Sequence, residues 1–225
     1  QAEFEEAIER VIAGPERKSR LINPDEKKII AYHEAGHAVV INTLPEGDPV
    51  QKVSIISRGM AGGFTLSLPE EDRVLDSKRK LIATMVGMLG GRAAEEVIFD
   101  DITSGASSDI ENVTKLARRM VTRLGMSEEL GPMVYGQKEE LVFLGREISE
   151  QRDYSEFVAQ KIDQEVREIV SNAYAQAKEI LVTYKEKLIE VAEKLLEVET
   201  LSREQFEAIF PPPVEKTQGI PAIQG

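Results

Sequence analysis

The sequence contains no cysteine and only two histidines among its 225 residues. Because cysteine is absent, the chain forms neither a disulfide nor a thiolate metal site, and any transition-metal site has to use histidine and carboxylate ligands. No apolar run approaches the length that a helix needs to cross a bilayer. Acidic residues outnumber basic ones by 40 to 28, and the net charge of −12 argues against general affinity for nucleic acid or anionic lipid.

The two histidines are the ends of the segment His33–His37, with Glu34 directly after the first. Residues at i and i+4 share one face of an α-helix, so both imidazoles can bind the same ion. Asn23 and Pro24 match an N-cap and the first helical position, and the predicted helix ends at Pro45. Glu34 is then placed to act on a water molecule at that ion. The alternative is a helix with two surface histidines and no ligand.

Hydrophobic periodicity predicts a mainly α-helical fold, with a small β-hairpin or sheet after the histidine helix and a C-terminal helical bundle. Two strands are expected, at 50–57 and 63–68, joined by a turn at 58–62, and a short extended piece is expected at 142–144. The further predicted helices cover residues 3–13, 77–89, 92–98, 108–123, 153–184, 186–197 and 202–210.

Three of these helix boundaries rest on specific local signals. Gly90 and Gly91 are expected to break a helix, because glycine is the poorest helix former after proline. Ser108 begins a Ser-Asp-Ile-Glu sequence that matches a capping box and predicts the start of the next helix. Ser202 begins a second such sequence, Ser-Arg-Glu-Gln, before the last helix.

Two histidines do not complete a catalytic zinc site, which usually has three protein ligands and keeps the fourth position for water. The extended motif with a third histidine six residues after the second is excluded, because Thr43 occupies that position. The remaining ligand therefore has to be a carboxylate, and sequence spacing does not choose among the acids. The candidates are Glu70, Glu71, Glu95, Glu96, Asp100, Asp101 and Asp109.

Three separated motifs occur in a recognisable order: His33–Ala38, Leu89–Glu96 and Thr103–Asp109. Together they resemble the protease domain of the FtsH family, the membrane-anchored, ATP-dependent zinc metalloproteases. The resemblance covers about residues 1 to 210. It implies a helical zinc metalloprotease domain that cuts peptide bonds by attack of metal-activated water.

The resemblance also implies roles for individual residues. His33, His37 and Asp109 are expected to bind Zn²⁺, and Glu34 is expected to be the catalytic base. From the residues alone, Asp109 has a plainer interpretation as an ordinary acid in the first turn of a helix, where the helix dipole favours it.

Two other features carry a functional and a structural interpretation. Glu95 and Glu96 are expected to be structural, although one of them could hydrogen-bond a metal-binding histidine and orient it. The second predicted strand is either a plain hairpin strand or an edge to which a substrate main chain pairs. The expected substrate-binding residues are Gly63, Phe64, Thr65 and Leu66.

Composition and the resemblance together predict a division of the chain. Residues 1–14 correspond to the end of an ATPase module, 15–22 to a linker and 23–150 to the zinc peptidase core. Residues 151–210 form a C-terminal helical subdomain, and residues 211–225 are expected to be a disordered tail because they lack apolar periodicity.

The resemblance further implies partners and a location. Substrates are expected to be unfolded polypeptides or membrane proteins, and the assembly a homo-hexamer. The first residue is Gln1 and not Met, so we expect a soluble fragment of a protein anchored in the inner membrane, with the peptidase facing the cytoplasm. No P-loop motif occurs, so ATP and Mg²⁺ binding is assigned to the missing ATPase module.

Two other functions remain as alternatives. One is a non-catalytic helical assembly module whose zinc is structural, which a closed shell of four ligands would favour. The other is a hydrolase that uses the same motif on a small substrate, which a narrow, enclosed pocket would favour.

Overall fold

The computed structural model of the protein describes residues 23–57, 62–69, 74–136 and 153–213. None of the helices in these four segments is both long and apolar enough to cross a membrane. Several predicted features lie outside the described residues: the helix at 3–13, the linker at 15–22, most of the turn at 58–62, the extended piece at 142–144 and the tail beyond residue 213.

The described chain consists mainly of helices, with three short strands, which confirms the predicted fold class. In chain order the elements are α1 (Pro24–Thr43), β1 (Val50–Ser54), β2 (Phe64–Ser67), α2 (Lys78–Phe99), a short 3₁₀ turn (Ser104–Ala106), α3 (Ser107–Thr122), α4 (Glu156–Thr183), α5 (Lys185–Val198), β3 (Thr200–Ser202) and α6 (Arg203–Ile209).

Helix α1 is the central element and carries the histidine motif. It begins as predicted, because the Asn23 side chain accepts the N–H of Asp25 and Pro24 occupies the first turn. Every residue from Ala31 to Val40 is buried, and the helix packs against α2, α5 and β1. A helix that is buried all round places its polar side chains in the interior, where each of them needs a partner.

Gly90 and Gly91 do not break a helix, so this prediction is wrong: α2 runs without interruption from Lys78 to Phe99. The two glycines serve helix packing instead. A Cβ at Gly90 would lie 2.7 Å from the carbonyl oxygen of Gly36, and a Cβ at Gly36 would lie 2.5 Å from the carbonyl oxygen of Gly90. Helices α1 and α2 therefore approach each other backbone to backbone, which brings residues of α2 next to the histidines.

The β element is a three-stranded antiparallel sheet in the order β2-β1-β3. The predicted hairpin is confirmed, although both strands are shorter than expected. Strand β3 was not predicted, because three residues between two helices are too few to show alternation. Glu199 turns the chain with a φ of 59°, and Leu201 then pairs with Val53 and is fully buried.

Helix α3 does not begin with a capping box at Ser108, so this prediction is also wrong. The helix starts at Ser107, and its N-cap residue, Ala106, makes no side-chain capping bond. The 3₁₀ turn runs directly into α3, and the capping side chain is Thr103, which accepts the N–H of Gly105. The 3₁₀ turn, and not a cap at Ser108, therefore starts the helix and places Asp109 in the first turn of α3.

The C-terminal helices follow the predicted pattern closely. Helix α4 packs on α2 and α3, and α5 packs on α1. The second predicted capping box is confirmed, since Ser202 and Gln205 exchange both of its bonds at the start of α6. These helices contribute Ala177, Leu181, Leu188 and Leu195 to the same hydrophobic core as α1 and α2.

Candidate metal centre

The two histidines and one acid meet in a single cluster. His33 and His37 lie one turn apart on α1, and their Nε2 atoms face each other at 3.1 Å. Asp109 places Oδ2 3.5 Å from Nε2 of His33 and 3.6 Å from Nε2 of His37. Among the described residues these three form a group suited to hold a metal ion. The structure thus brings together the three residues that the resemblance implied.

The spacing of the three atoms fits a tetrahedral metal ion. Zinc bonds of about 2.0–2.1 Å place tetrahedral ligands about 3.3–3.4 Å apart. The observed separations between the two Nε2 atoms and Oδ2 lie between 3.1 and 3.6 Å. Two imidazoles and one carboxylate are also the donor set that zinc accepts in catalytic sites, where a fourth position stays open for water. The residues present therefore fit Zn²⁺.

The other nitrogen of each imidazole is held by a partner in α2. His33 Nδ1 donates to Glu95 Oε1 at 2.7 Å, and His37 Nδ1 donates to the carbonyl oxygen of Gly87 at 2.8 Å. The backbone nitrogen of Gly91 also lies 3.3 Å from His37 Nδ1. The Gly87 carbonyl oxygen is closer and can only accept, so His37 Nδ1 is the nitrogen that carries the proton. With the proton on Nδ1, each Nε2 keeps its lone pair for a metal.

Glu95 connects the histidine helix to the loop that precedes Asp109. Its Oε1 accepts from His33, and its Oε2 accepts the backbone N–H of Thr103 at 2.6 Å. The side chain is 2% exposed. Burial works to raise the pKa of Glu95, but the bonds from His33 and Thr103 lower it. Glu95 is therefore a buried carboxylate that positions residues on both sides of the cluster.

The cluster is built to hold positive charge. Burial works to lower the pKa of His33, but its contacts with the carboxylates of Asp109 and Glu95 raise it to about 10. Burial works to raise the pKa of Asp109, and the two imidazoles hold it well below its ordinary value. Both shifts mean that the carboxylates favour a cation, whether a proton or a metal ion, between the two imidazoles.

Glu34 lies on the same helix and is 7% exposed. The Thr65 hydroxyl on β2 lies 2.8 Å from Glu34 Oε2 and 3.1 Å from the Glu34 carbonyl oxygen. Burial raises the pKa of Glu34, and the neighbouring His37 and His33 oppose that shift. A carboxylate with a raised pKa takes up a proton more readily than an ordinary surface acid does.

A groove of about 1120 Å³ runs past the cluster. It is lined by all three cluster residues, by Glu34 and by part of β2, which is one of the two outer strands of the described sheet. Of the four expected strand residues, Gly63, Phe64 and Thr65 line the groove, whereas Leu66 does not.

Of the other candidate acids, Glu95 bonds Nδ1 of His33, on the side of the imidazole away from the cluster. The described acids Glu96, Asp100 and Asp101 lie outside the group that could hold a metal ion. Glu96 faces the opposite way, where it accepts from Lys178 Nζ at 2.8 Å and from the hydroxyl of Tyr174. Asp100 is the C-cap of α2, and Asp101 accepts the N–H of the residue that follows it. Glu70 and Glu71 lie outside the described residues.

Sequence reasoning missed two contributors to the cluster, Gly91 and Thr103. A Cβ at Gly91 would lie 2.4 Å from His33 Nε2, so this glycine makes room for the imidazole. A glycine in the middle of a helical pattern was the available signal, since such a residue often marks close packing. The N–H of Thr103 carries no sequence signal, because every residue except proline has one.

The comparisons with known proteins agree on one family. The sequence profile of Peptidase family M41 matches residues 20–209. A protein of Thermotoga maritima named "ATP-dependent zinc metalloprotease FtsH" is 57% identical over 215 residues, which cover 95% of this chain and 35% of that protein. A protein of Thermomicrobium roseum named "ATP-dependent zinc metalloprotease FtsH 1" is 56% identical over 211 residues, covering 94% and 32% respectively.

A third relative, from Pseudothermotoga lettingae, carries the same name as the Thermotoga protein and is 56% identical over 209 residues, covering 92% of this chain and 33% of its own length. The chain thus spans about a third of the length of the relatives that it matches. The matched region contains all three motifs on which the resemblance rests. The chain belongs to Peptidase family M41.

Proposed function

We propose that this chain is a zinc-dependent endopeptidase domain in which His33, His37 and Asp109 hold Zn²⁺ and Glu34 is the catalytic base. The observation that carries the proposal is the three-ligand cluster, with separations that fit a tetrahedral ion, beside a buried carboxylate. The names of the relatives, which call them zinc metalloproteases, support zinc as the metal. A set of three ligands favours a catalytic zinc over a structural one, which has four protein ligands.

When bound in such a site, zinc lowers the pKa of a coordinated water and polarises a carbonyl group. Glu34 is the residue that takes the proton from the attacking water and passes it to the nitrogen of the leaving amine. Its burial supports this role, because the raised pKa makes the carboxylate a better proton acceptor. Glu95 does not contact the metal position itself. It accepts a hydrogen bond from His33 Nδ1 and so holds the imidazole with Nε2 directed at that position.

The groove supports a polypeptide substrate. The groove is lined by part of β2 as well as by the cluster residues, so an extended chain can lie along the strand beside the metal position. An extended peptide can pair with β2, an outer strand among the described strands, through main-chain hydrogen bonds, which need no particular side chains. Phe64, Thr65 and Ser67 of β2, together with Gly63 just before it, line the groove. This mode of binding suits unfolded chains of many sequences.

The whole protein is proposed to be an ATP-dependent, membrane-anchored protease that degrades unfolded or membrane proteins. We assign the main part of its ATPase module and its membrane segments to regions outside this chain, which covers about a third of the length of its relatives. We further propose a homo-hexamer, anchored in the inner membrane with the peptidase facing the cytoplasm. In this arrangement the ATPase delivers unfolded chains to the groove, and the helical subdomain at 151–210, with its long helices, takes part in contacts between subunits.

The test is cleavage of a permanently unfolded protein by the zinc-loaded chain and by its Glu34→Gln variant. We expect the variant to bind one zinc per chain and to lose cleavage by a factor of about 10²–10⁴, the usual contribution of a general base. The Glu168→Gln variant, which alters an exposed acid on α4, is the matched control and should cleave at the wild-type rate.

Two outcomes contradict the proposal. Cleavage by Glu34→Gln at the wild-type rate removes Glu34 from the mechanism. Zinc binding without cleavage, by the wild-type chain and by a form that includes the ATPase module, favours the structural-zinc alternative.

A further inference from the structure

Thr65 connects the edge strand to Glu34. It lies in the middle of β2, paired across the sheet with Val53 of β1. Its hydroxyl oxygen is 2.8 Å from Glu34 Oε2 and 3.1 Å from the Glu34 carbonyl oxygen. A threonine hydroxyl has one proton to donate, so it serves one of these two acceptors at a time.

The carboxylate is the acceptor that needs this proton. The Glu34 carbonyl lies inside α1, where the helix already supplies it with the N–H four residues ahead. The Glu34 carboxylate is buried, and a buried carboxylate oxygen without a donor costs free energy. The Thr65 O–H therefore donates to Oε2, which is also the shorter of the two contacts.

The same strand limits the second oxygen of the carboxylate. Gly63 lies immediately before β2 and two residues before Thr65, so the alternation of an extended chain puts the two residues on the same face. A Cβ at Gly63 would stand 2.9 Å from Glu34 Oε1 and 2.9 Å from Glu34 Cγ. Gly63 thus leaves just enough space for Glu34 Oε1, and Thr65 binds Glu34 Oε2.

We propose that Thr65 is a positioning residue that holds the Glu34 carboxylate in one orientation. Because Thr65 belongs to β2, it also fixes the position of this carboxylate relative to a peptide paired to β2. The proposal rests on the proposed function, because it assigns Glu34 the role of base and β2 the role of substrate edge. A peptide on β2 and the carboxylate are then positioned by the same strand. A shift of the strand moves both together, so their relative placement is preserved.

The test compares Thr65→Val, which keeps the branched shape but removes the hydroxyl, with Thr65→Ser, which keeps the hydroxyl. Thr114→Val, on the exposed face of α3, is the matched control for the same substitution. The first readout is a crystal structure of each zinc-loaded variant. We expect the Glu34 carboxylate to occupy more than one rotamer in Thr65→Val and the single wild-type rotamer in Thr65→Ser and Thr114→Val.

The second readout is kcat and KM for cleavage of an unfolded, fluorescently labelled protein, with zinc content measured on the same samples. We expect Thr65→Val to lose about tenfold or more in kcat, since a misplaced base is inefficient, while KM and zinc content change less than about twofold. Thr65→Ser should recover most of the loss.

A single wild-type rotamer of Glu34 in Thr65→Val overturns the proposal, whether or not the chain cleaves. A Thr65→Ser variant as impaired as Thr65→Val also overturns it, because packing and not the hydroxyl would then be responsible. If the wild-type chain with its ATPase module fails to cleave while Thr65→Val still disorders Glu34, the proposed function fails and the positioning contact stands. The two failures are therefore distinguishable.

Discussion

Gly91 of α2 lies directly against the imidazole of His33. A Cβ at residue 91 would stand 2.4 Å from Nε2, the nitrogen that faces the metal position, and 2.5 Å from Cε1. Both groups sit on buried helices, so neither can move away freely. The glycine is therefore needed by the metal centre and not by the course of the helix.

Gly91→Ala should weaken zinc binding by at least about tenfold, equivalent to about 1.4 kcal/mol. Alanine favours a helix interior by about 1 kcal/mol over glycine, so a change in helix stability cannot cause this loss. The measurement is a competition titration with a chelator of known affinity, together with thermal unfolding of the metal-free variant. Wild-type zinc affinity in Gly91→Ala would show that the imidazole adjusts to the methyl group.

Glu95→Gln should lower zinc affinity by about 10–100-fold, the usual effect of removing a partner that orients a ligand. Glu95 accepts hydrogen bonds with both oxygens, from His33 and from Thr103. A glutamine has one acceptor oxygen, so its NH₂ group would face one of these two donors. Zinc affinity is measured by the same competition titration.

Glu96→Gln is the matched control, because Glu96 is the next residue on the same helix and contacts Tyr174 and Lys178 instead of a histidine. It should bind zinc as tightly as the wild type. Equal losses of affinity in the two variants would mean that any change at this end of α2 disturbs the centre.

Asp109→Ala should lose more zinc affinity than Glu95→Gln, because it removes a donor atom and not a supporting residue. Asp109 Oδ2 lies 3.5 Å and 3.6 Å from the two imidazole nitrogens. Helical content should be retained, since the residue is partly exposed on the first turn of α3. Circular dichroism and zinc titration check both expectations.

Asp101→Ala is the control for the loss of one acid near the groove, because Asp101 is exposed and bonds only its own loop at Ile102 among the contacts described. Zinc binding at wild-type strength in Asp109→Ala would identify another carboxylate as the third ligand.

The contacts of Glu96 with Lys178 and Tyr174 predict a pH-dependent contribution to the free energy of unfolding. Hydrogen bonds from Lys178 and Tyr174 lower the pKa of Glu96 from its ordinary value of 4.5. A carboxylate with a lowered folded-state pKa stabilises the fold above its unfolded pKa, and this stability is lost as the pH falls through the folded-state pKa. The side chain is 36% exposed, so the contribution is at most about 1 kcal/mol.

The measurement is the difference in unfolding temperature between wild type and Glu96→Gln across pH 7 to about 3. We expect the wild type to be the more stable at pH 7 and the difference to shrink below about pH 4.5. Glu168→Gln, which removes the same charge from an exposed site, serves as the control. A difference that stays constant with pH would assign the effect of Glu96→Gln to packing.

Much of the fold was predictable because local signals carry it. Asn23 and Pro24 start α1, and Ser202 with Gln205 starts α6, since capping depends on residues that are neighbours in sequence. Strand β3 and the start of α3 were not predictable from such signals. The first depends on pairing with Val53, and the second on a 3₁₀ turn capped by Thr103.

The sequence by itself determined the histidine pair, because a helical turn places His33 and His37 on one face wherever the helix lies. It also determined the family, since the three motifs stand in fixed order along the chain. Residue spacing left the third acid open and the family resemblance implied Asp109, whereas the tertiary structure is what physically brings an acid to the histidines. Asp109 is 72 residues from His37 (109 − 37), and only the packing of α1 against α2, with α3 following, brings its carboxylate to them.

The tertiary structure likewise decided the supporting contacts. Glu95 and Glu96 are adjacent and chemically identical, yet one bonds His33 and the other Lys178, because successive helical residues point about 100° apart. The sequence predicts Gly91 as a helix breaker, whereas in the structure it is a packing position, because its neighbour in space is an imidazole from another helix. Spacing along the chain describes what one helix can present, and packing between helices decides what it meets.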